Sequence, residues 1–179
     1  MSEAKSRGIS AKDIYKEIIK ASKEYKPQYR TVVKNFNFKE SAPYRSELEK
    51  LYDDADYVLE RLSKKYKLGI IANQSDGLKD RLRELGILKY FNYVISSYDY
   101  KIQKPDIRLF EIALKEAGLK ACETAMVGDR LDNDIYPAKR IGMKTIWIKQ
   151  GFGGMQKPLN DGYIPDVGVL NLTDLLNAL

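Results

Sequence analysis

Short apolar runs and amphipathic stretches alternate along this chain from about residue 53 onward. The apolar runs predict buried strands at Leu68–Ala72, Tyr93–Ile95, Thr124–Val127, Thr145–Ile148 and Val167–Leu170. Stretches with apolar residues at helical spacing predict helices at Leu78–Leu85, Ile107–Ala117, Ile135–Ile141 and Leu172–Leu179. Strands that alternate with helices are typical of an α/β fold. We therefore predict a parallel, Rossmann-like sheet with helices on both faces.

Residues 1–52 have a different pattern, in which helical spacing dominates. Ser10 and Asp13 resemble a capping box, apolar residues follow at helical spacing, and Pro27 ends the predicted helix. Arg30–Phe38 fits a helix or a strand, and Tyr44–Tyr52 again has helical spacing. We therefore predict a small helical region over residues 1–52 and an α/β core over residues 53–179.

The composition narrows the chemistry that the chain can perform. Its 179 residues fit one domain with at most a small appendage. The chain has no His and a single Cys, Cys122, which excludes Ser-His-Asp and Cys-His catalysis, an internal disulfide and zinc sites built from His or several Cys. Catalysis would therefore use carboxylates, Lys, hydroxyls or a hard cation held by oxygen ligands.

The net charge of +6 would attract nucleic acid, acidic membranes or small phosphorylated molecules. Lys and Glu are interspersed, however, and no block of about five or six like charges occurs, so the pattern favours a solvated surface over a nucleic-acid interface. No apolar run approaches the ~20 residues of a membrane span, and the polar segment Met1–Ser10 does not resemble a signal peptide. We therefore expect a cytoplasmic protein with neither a membrane nor a nucleic-acid partner.

Acidic residues follow the third predicted strand. The segment GDRLDND starts at Gly128, where glycine would let the backbone turn sharply, and places Asp129 and Asp134 on the two sides of a strand-to-helix turn. Ligands of open parallel sheets bind at the carboxyl ends of the strands, and Mg²⁺ is usually held by one or two carboxylates plus a substrate phosphate. We therefore predict Asp129 and Asp134 as Mg²⁺ ligands. Asp132 and Asn133 could add ligands, although capping of the following helix is their favoured role.

A lysine precedes the helix at Ile107–Ala117. Pro105 fixes the turn and Asp106 can cap the helix, which holds Lys104 at the mouth of the sheet. An ammonium group fixed there can neutralise charge on a transferring phosphoryl group.

The residues after the first predicted strand are polar as well. Asn73, Gln74 and Ser75 offer hydrogen-bond donors beside the start of the next helix, so Asn73 and Gln74 are candidate substrate-binding residues. The alternative is that Ser75 or Asp76 simply caps this helix. Gly151–Gly154 lacks the Lys-Ser/Thr of a phosphate-binding loop and is interpreted as an ordinary loop.

Together these segments resemble the haloacid dehalogenase-like hydrolase superfamily. The segment KLGIIAN at Lys67–Asn73 is similar to the family's second motif strand, Lys104-Pro105-Asp106 to its third motif, and VGDRLDND at Val127–Asp134 to its fourth, GDxxxxD. The order and the gaps also fit, and the resemblance extends from about Leu51 to the C-terminus. Residues 1–52 then resemble the cap domain that the family inserts after its first strand.

The resemblance implies a Mg²⁺-dependent phosphatase that acts on a small phosphorylated metabolite through an aspartyl-phosphate. In the family, one Asp of a DxDxT motif attacks phosphorus and the other acts as acid and base. Carried over by position, Lys104 and Asp129 would be catalytic, Asp129 and Asp134 would bind the metal, and Asn73, Gln74 and Lys104 would bind substrate. The acidic fourth motif favours a phosphatase over the dehalogenase branch.

Two features depart from the family pattern. The DxDxT motif is absent, and the triplet Asp54-Ala55-Asp56 follows no apolar strand, so Asp54 is not expected to be a nucleophile. Ala72 stands where the family has a phosphate-binding hydroxyl. We therefore expect little or no turnover, and a non-catalytic phosphate- or metal-binding or regulatory domain is the alternative. A receiver-like signalling domain is disfavoured, because no acidic pair follows the first strand.

The absence of the DxDxT motif has a consequence for the expected sheet. In the family, the first strand lies in the middle of the sheet, between the second- and fourth-motif strands. We expect that the chain begins late or has diverged, and that this central strand is missing. Unpaired backbone groups in a buried gap are costly, so we expect Arg30–Phe38 or a neighbouring chain to fill it. An open gap would favour association, for instance as a homodimer, or low stability.

Overall fold

The computed structural model of the chain describes residues 3–39, 45 and 48–179. Its strands are β1 (Leu68–Ala72), β2 (Phe91–Ser96), β3 (Ala125–Gly128), β4 (Lys144–Ile148) and β5 (Val167–Val169). Every predicted strand is present, with only small shifts of its bounds. The apolar runs are therefore strands, as their pattern indicates.

Helices flank the strands, which confirms the α/β class. They are α1 (Glu3–Ser6), α2 (Ala11–Lys23), α3 (Gln28–Asn35), α4 (Ala55–Ser63), α5 (Leu78–Glu84), α6 (Ser97–Tyr100), α7 (Ile107–Ala117), α8 (Tyr136–Arg140) and α9 (Leu175–Ala178). Helix α7 has the predicted bounds, because Asp106 accepts a hydrogen bond from the Arg108 N–H at its start and Gly118 ends it in the left-handed region. The last helix is shorter than predicted.

The predicted cap of α5 is wrong. Neither Ser75 nor Asp76 caps this helix, because Gly77 occupies the position before Leu78, with a φ of 77° that favours glycine. The Asp76 carboxylate instead accepts a hydrogen bond from the Gly77 N–H, at 2.8 Å. The polar segment after β1 is therefore a turn of its own, separate from the helix that follows.

The N-terminal region is helical, as predicted. Ser10 Oγ accepts a hydrogen bond from the Asp13 N–H and donates one to Asp13 Oδ2, which fixes the start of α2. Arg30–Phe38 falls mostly within α3, which packs against α2, so the expectation that it fills the sheet as a strand is wrong. Of the predicted helix Tyr44–Tyr52, Tyr44 lies outside the described residues and residues 49–52 are not helical. The domain boundary at residue 52 stays a prediction.

All strand pairs are parallel, and within the described residues they form two sheets. β1 pairs with β2, with Ala72 opposite Ser96. β4 lies between β3 and β5, with Gly128 opposite Trp147. No backbone pairing joins β1 to β3 in the part of the chain that the structure describes. That a central strand is missing and that copies associate both stay predictions.

Side-chain packing joins the two sheets. Leu68 of β1 packs against a cluster that includes Val58 and Ile146. Ile71 of β1 packs against a second cluster that includes Phe110 and Met126. The buried part of the core is centred on β4, which has four buried positions out of five, whereas no residue of β1 is fully buried. No helix in the described ranges is both long enough and apolar enough to cross a membrane.

Candidate active site

An ion pair lies at the carboxyl edge of the strands. Lys104 Nζ is 2.5 Å from Asp134 Oδ1, and the two side chains are only 13% and 5% exposed. Asp129 is close enough to interact electrostatically with both groups. The structure thus brings together the three charged residues that the sequence singled out, and we call them the carboxylate–lysine cluster. A short, largely dehydrated pair of this kind is strongly constrained in its geometry.

Asn73 positions Lys104 through its backbone. The side-chain amide of Asn73 donates to the Lys104 carbonyl at 2.9 Å, and its Oδ1 accepts from the Lys104 N–H at 2.7 Å. Both polar atoms of the Asn73 side chain are therefore engaged within the protein. The structure gives Asn73 a supporting contact to Lys104, and the substrate contact predicted for Asn73 stays a prediction.

Gly128 and Arg130 position Asp134. A Cβ atom on Gly128 would overlap the Asp134 Cβ, so only glycine leaves room for that side chain. Gly128 is not in the left-handed region, and space rather than a sharp turn is thus the reason for glycine here. The Arg130 N–H donates to Asp134 Oδ2 at 3.0 Å. The turn that follows is a short π-helix, Leu131–Ile135, a form often found at functional sites.

Asp129 lies between β3 and the glycine-rich loop. A Cβ on Gly153 would be 2.5 Å from Asp129 Oδ2, so this loop is in contact with the carboxylate. The Trp147 indole N–H donates to the Asp129 carbonyl at 2.7 Å. Burial, and secondly the negative charge of Asp134, raise the pKa of Asp129 above its ordinary value. The surroundings of Asp129 therefore favour its protonated form over its ionised form.

A second ion pair lies beside the cluster. Arg130 Nε and Nη2 donate to the two carboxylate oxygens of Asp132, at 3.0 and 2.6 Å. The prediction that Asp132 caps the following helix is wrong, because neither the π-helix nor α8 has a side-chain cap bond. Sequence reasoning did not assign Arg130 a role, although its place inside the GDRLDND segment was a usable signal.

A polar cavity of about 400 Å³ opens at the ends of β1 and β2. The residues that line it are Asn73, Gln74, Ser75, Ser97 and Gln103. The Gln74 N–H donates to Ser97 Oγ, and Gln74 Oε1 accepts from Arg81 at 3.0 Å. Sequence reasoning did not find Ser97 and Gln103, because they follow other elements and belong to no motif.

Asp54 lies elsewhere in the structure. Its Oδ2 accepts hydrogen bonds from the Thr173 N–H and Thr173 Oγ1, both at 3.0 Å, which ties the start of α4 to the segment before α9. Asp54 therefore has a structural contact, and the expectation that it is not a nucleophile stays a prediction.

The charge balance of the cluster fits a divalent cation. Lys104 offsets one of the two carboxylates, and the charge of Arg130 is matched by Asp132, so one negative charge is left over. Asp134 has contacts on both oxygens, yet each oxygen has a second lone pair for another ligand. Within residues 3–39, 45 and 48–179, no three acidic, Cys or His side chains converge as a metal site. Mg²⁺ is usually held by one or two carboxylates with water and phosphate, so two carboxylates suffice.

The chain matches a known enzyme family over most of its length. Residues 3–148 match the family described as haloacid dehalogenase-like hydrolase. Glyceraldehyde 3-phosphate phosphatase of Methanocaldococcus jannaschii is 39% identical over 117 residues, which are 63% of this chain and 49% of that protein. Phosphoserine phosphatase of Thermus thermophilus is 30% identical over 130 residues, 72% of this chain and 51% of that protein. The chain thus spans about half the length of these relatives.

Solved structures have the same fold. A HAD phosphatase from Thermococcus onnurineus superimposes with a TM-score of 0.66 at 26% identity, over 98% of this chain and 83% of the other. The HAD-hydrolase YfnB from Bacillus subtilis, bound to magnesium, gives a TM-score of 0.73 at 22% identity, over 100% of this chain and 84% of the other. The arrangement of both sheets and the N-terminal helices is therefore one that experimentally determined proteins adopt.

Proposed function

Because this chain belongs to the haloacid dehalogenase-like hydrolase family, we propose that its carboxylate–lysine cluster binds the phosphate group of a small phosphorylated metabolite together with Mg²⁺. The observation behind this proposal is the buried contact of Lys104 with Asp134, beside an Asp129 whose pKa is raised. One ammonium group and two carboxylates at the ends of parallel strands can bind an anion and a cation side by side.

Each residue of the cluster has a separate task in this proposal. Lys104 donates hydrogen bonds to phosphate oxygens, and Asn73 fixes the backbone from which Lys104 projects. Asp129 and Asp134 are the residues that would hold Mg²⁺. When bound, the cation offsets negative charge on the phosphate oxygens. Trp147 holds the backbone of Asp129 in place, and Gly153 leaves room for its side chain.

The relatives support the substrate class. The names of two relatives are glyceraldehyde 3-phosphate phosphatase and phosphoserine phosphatase, and both named substrates are small phosphate monoesters. The cavity next to Asn73 is lined by amides and hydroxyl groups without a formal charge. These side chains can form hydrogen bonds with hydroxyl or amino groups of a bound ligand. We therefore propose a small, hydroxylated or amino-substituted phosphate monoester as the ligand.

Hydrolysis by this chain is proposed to be slow or absent. Covalent phosphoryl transfer needs a nucleophile next to the phosphate, and Asp54, the first residue of the Asp54-Ala55-Asp56 triplet, is bonded to Thr173 instead. Ala72, at the end of β1, offers no hydroxyl group. These two observations favour a second candidate function, in which the chain binds phosphate and metal without turning the ester over.

Calorimetric titration of the chain with MgCl₂ and with inorganic phosphate tests the binding proposal. Asp129→Asn should weaken Mg²⁺ binding at least about tenfold, because it removes an anionic ligand. Lys104→Met should weaken phosphate binding about tenfold or more, because a charge-assisted hydrogen bond is lost. Asp54→Asn is the matched control and should leave both affinities unchanged. If neither ligand binds the unsubstituted chain, the proposal is wrong.

Release of phosphate from an aryl phosphate, with and without Mg²⁺, separates the two candidate functions. Binding without release supports the non-catalytic function. Mg²⁺-dependent release that survives Asp54→Asn supports a phosphatase with a nucleophile other than Asp54. Release that disappears in Asp54→Asn would instead identify Asp54 as the nucleophile and contradict the present assignment.

A further inference from the structure

Five polar side chains form a closed ring of hydrogen bonds between the N-terminal helices and the turn after β3. Gln28 donates to Ser22 Oγ at 3.4 Å and accepts from Arg130 Nη1 at 3.2 Å. Arg130 binds Asp132 with two hydrogen bonds, and Gln156 Nε2 donates to Asp132 Oδ1 at 3.1 Å. Gln156 Nε2 closes the ring at the Ser22 carbonyl, at 3.4 Å. We call this set the polar ring.

Two members of the polar ring, Ser22 and Gln156, are buried, and the other three are half-buried. Ser22 is 0% and Gln156 is 3% exposed, and the side chains of Arg130 and Asp132 are 21% and 19% exposed. Ser22 Oγ also donates to the Phe152 carbonyl at 2.7 Å. Buried polar groups of this kind are costly unless all their hydrogen bonds are made. The ring therefore has a strong preference for one geometry.

The ring is linked to the carboxylate–lysine cluster through the backbone of Arg130, and it also binds the backbone of the next residue, Leu131. The Arg130 N–H holds Asp134 Oδ2, while the side chain of the same residue belongs to the ring. Gln156 Oε1 accepts from the Leu131 N–H at 2.7 Å, which fixes the first residue of the π-helix. Both atoms lie in the turn that separates Asp129 from Asp134. The geometry of the two carboxylates thus depends on side chains outside the cluster.

We propose that the polar ring is a positioning device, with Gln156 as its central positioning residue, which couples helices α2 and α3 to the geometry of Asp129 and Asp134. This inference rests on the proposed function, because it assigns the ring a role in cation binding at the same site. Gln156 is central because one side-chain amide contacts Leu131, Asp132 and Ser22 at once. A disturbance of the helices is transmitted to the carboxylates through that amide.

The variant Gln156→Met separates hydrogen bonding from packing, because methionine has a similar volume but no amide group. Partners outside the direct ligands typically change metal affinity 10–100-fold when substituted. We therefore expect Mg²⁺ affinity to fall about tenfold in Gln156→Met. Arg130→Lys is a milder second variant that keeps the charge and the backbone contact to Asp134 but loses the bidentate contact to Asp132. Asn171→Ala is the control, since Asn171 Oδ1 accepts a backbone N–H far from the ring.

The single tryptophan supplies a signal that does not need the metal. Trp147 Nε1–H donates to the Asp129 carbonyl, so its indole resonance in a proton–nitrogen NMR spectrum reports on the backbone of the site. In the absence of metal, Gln156→Met and Arg130→Lys should shift this resonance and increase amide exchange at Arg130 and Leu131. Asn171→Ala should leave both signals unchanged.

The outcomes are distinct. A shifted indole resonance with faster exchange and weaker Mg²⁺ binding supports the positioning role, whereas unchanged signals in Gln156→Met and Arg130→Lys overturn it. If the unsubstituted chain binds no Mg²⁺, the proposed function fails on its own, and the indole resonance and amide exchange still decide whether the ring controls the turn.

Discussion

Two ion pairs lie next to each other in this protein, and they are built in different ways. Lys104 lies in the loop before α7, Asp134 lies in the π-helix after β3, and the pair is almost completely buried. Arg130 and Asp132 belong to one turn, and their partners Gln28 and Gln156 come from distant parts of the chain. The first pair follows from the topology of a parallel sheet, whereas the second depends on the docking of the N-terminal helices. The central ion pair of a site can therefore be predictable from sequence when the residues that position it are not.

The largest effect is expected from breaking the first pair. Lys104→Met leaves Asp134 buried without its partner, which typically costs about 3–5 kcal/mol in the free energy of unfolding. Urea denaturation followed by circular dichroism measures this loss. Lys64→Met is the control, because the Lys64–Glu60 pair is exposed and its removal should not move the midpoint. Equal midpoints for Lys104→Met and the native chain would show that the buried pair is not formed in solution.

Breaking the Arg130–Asp132 pair is expected to lower the free energy of unfolding by a smaller amount. Asp132→Asn keeps the size of the side chain but removes the charge that binds Arg130, with an expected loss of about 1–2 kcal/mol. The loss should also appear as faster amide exchange in α2 and α3, because the polar ring holds these helices. A loss as large as that of Lys104→Met would contradict the distinction between the two pairs.

Substitution of Asp129 is expected to change the free energy of unfolding in the opposite direction, as an increase rather than a loss. The pKa of Asp129 is raised above the ordinary 3.8, so the folded state binds its proton more tightly than the unfolded state does. Without metal, stability should therefore fall as the pH rises through that raised pKa. Asp129→Asn removes this loss and should increase the free energy of unfolding at neutral pH. Thermal melts of the variant and of the unsubstituted chain from pH 4 to 8 measure this effect. A difference in melting temperature that stays constant over this pH range would contradict the prediction.

The same shift sets the pH dependence of cation binding. Mg²⁺ competes with the proton for the Asp129 carboxylate. As the solution is acidified, Mg²⁺ affinity should therefore begin to decline at a higher pH than it would if Asp129 had the ordinary pKa of an aspartate. Mg²⁺ should also reduce the stability gain of Asp129→Asn, because the unsubstituted chain binds the ion more tightly and is therefore stabilised more. Calorimetric titrations with Mg²⁺ at several pH values, in parallel on the unsubstituted chain and on Asp129→Asn, measure this dependence.

The sequence predicted most of the sheet and the centre of the site, for a physical reason. Apolar runs such as Leu68–Ala72 and segments such as GDRLDND are local, and the carboxyl ends of parallel strands must meet. That rule predicted the location of Asp129 and Asp134, and the turn at Pro105 with the start of α7 at Asp106 predicted that of Lys104.

The features that sequence reasoning missed depend on long-range contacts. Ser22 and Gln156 are 134 positions apart, and no periodicity connects them. The roles of Arg30–Phe38 and Asp132 were decided by packing and pairing that compete with local preference. The predicted cap of α5 was wrong because Gly77, in the left-handed region, precedes the helix in place of Ser75 or Asp76.

The glycines at positions 153 and 154 look in the sequence like the most permissive positions of the molecule. A side chain at Gly153 would collide with Asp129, and one at Gly154 would collide with the backbone of Lys149. For protein engineering, this segment is therefore a poor place to graft an epitope or to randomise a library. At Gly8 and Gly86 an added Cβ would meet no atom within 4 Å, so these positions have the free space that 153 and 154 lack, although their positive φ angles still favour glycine.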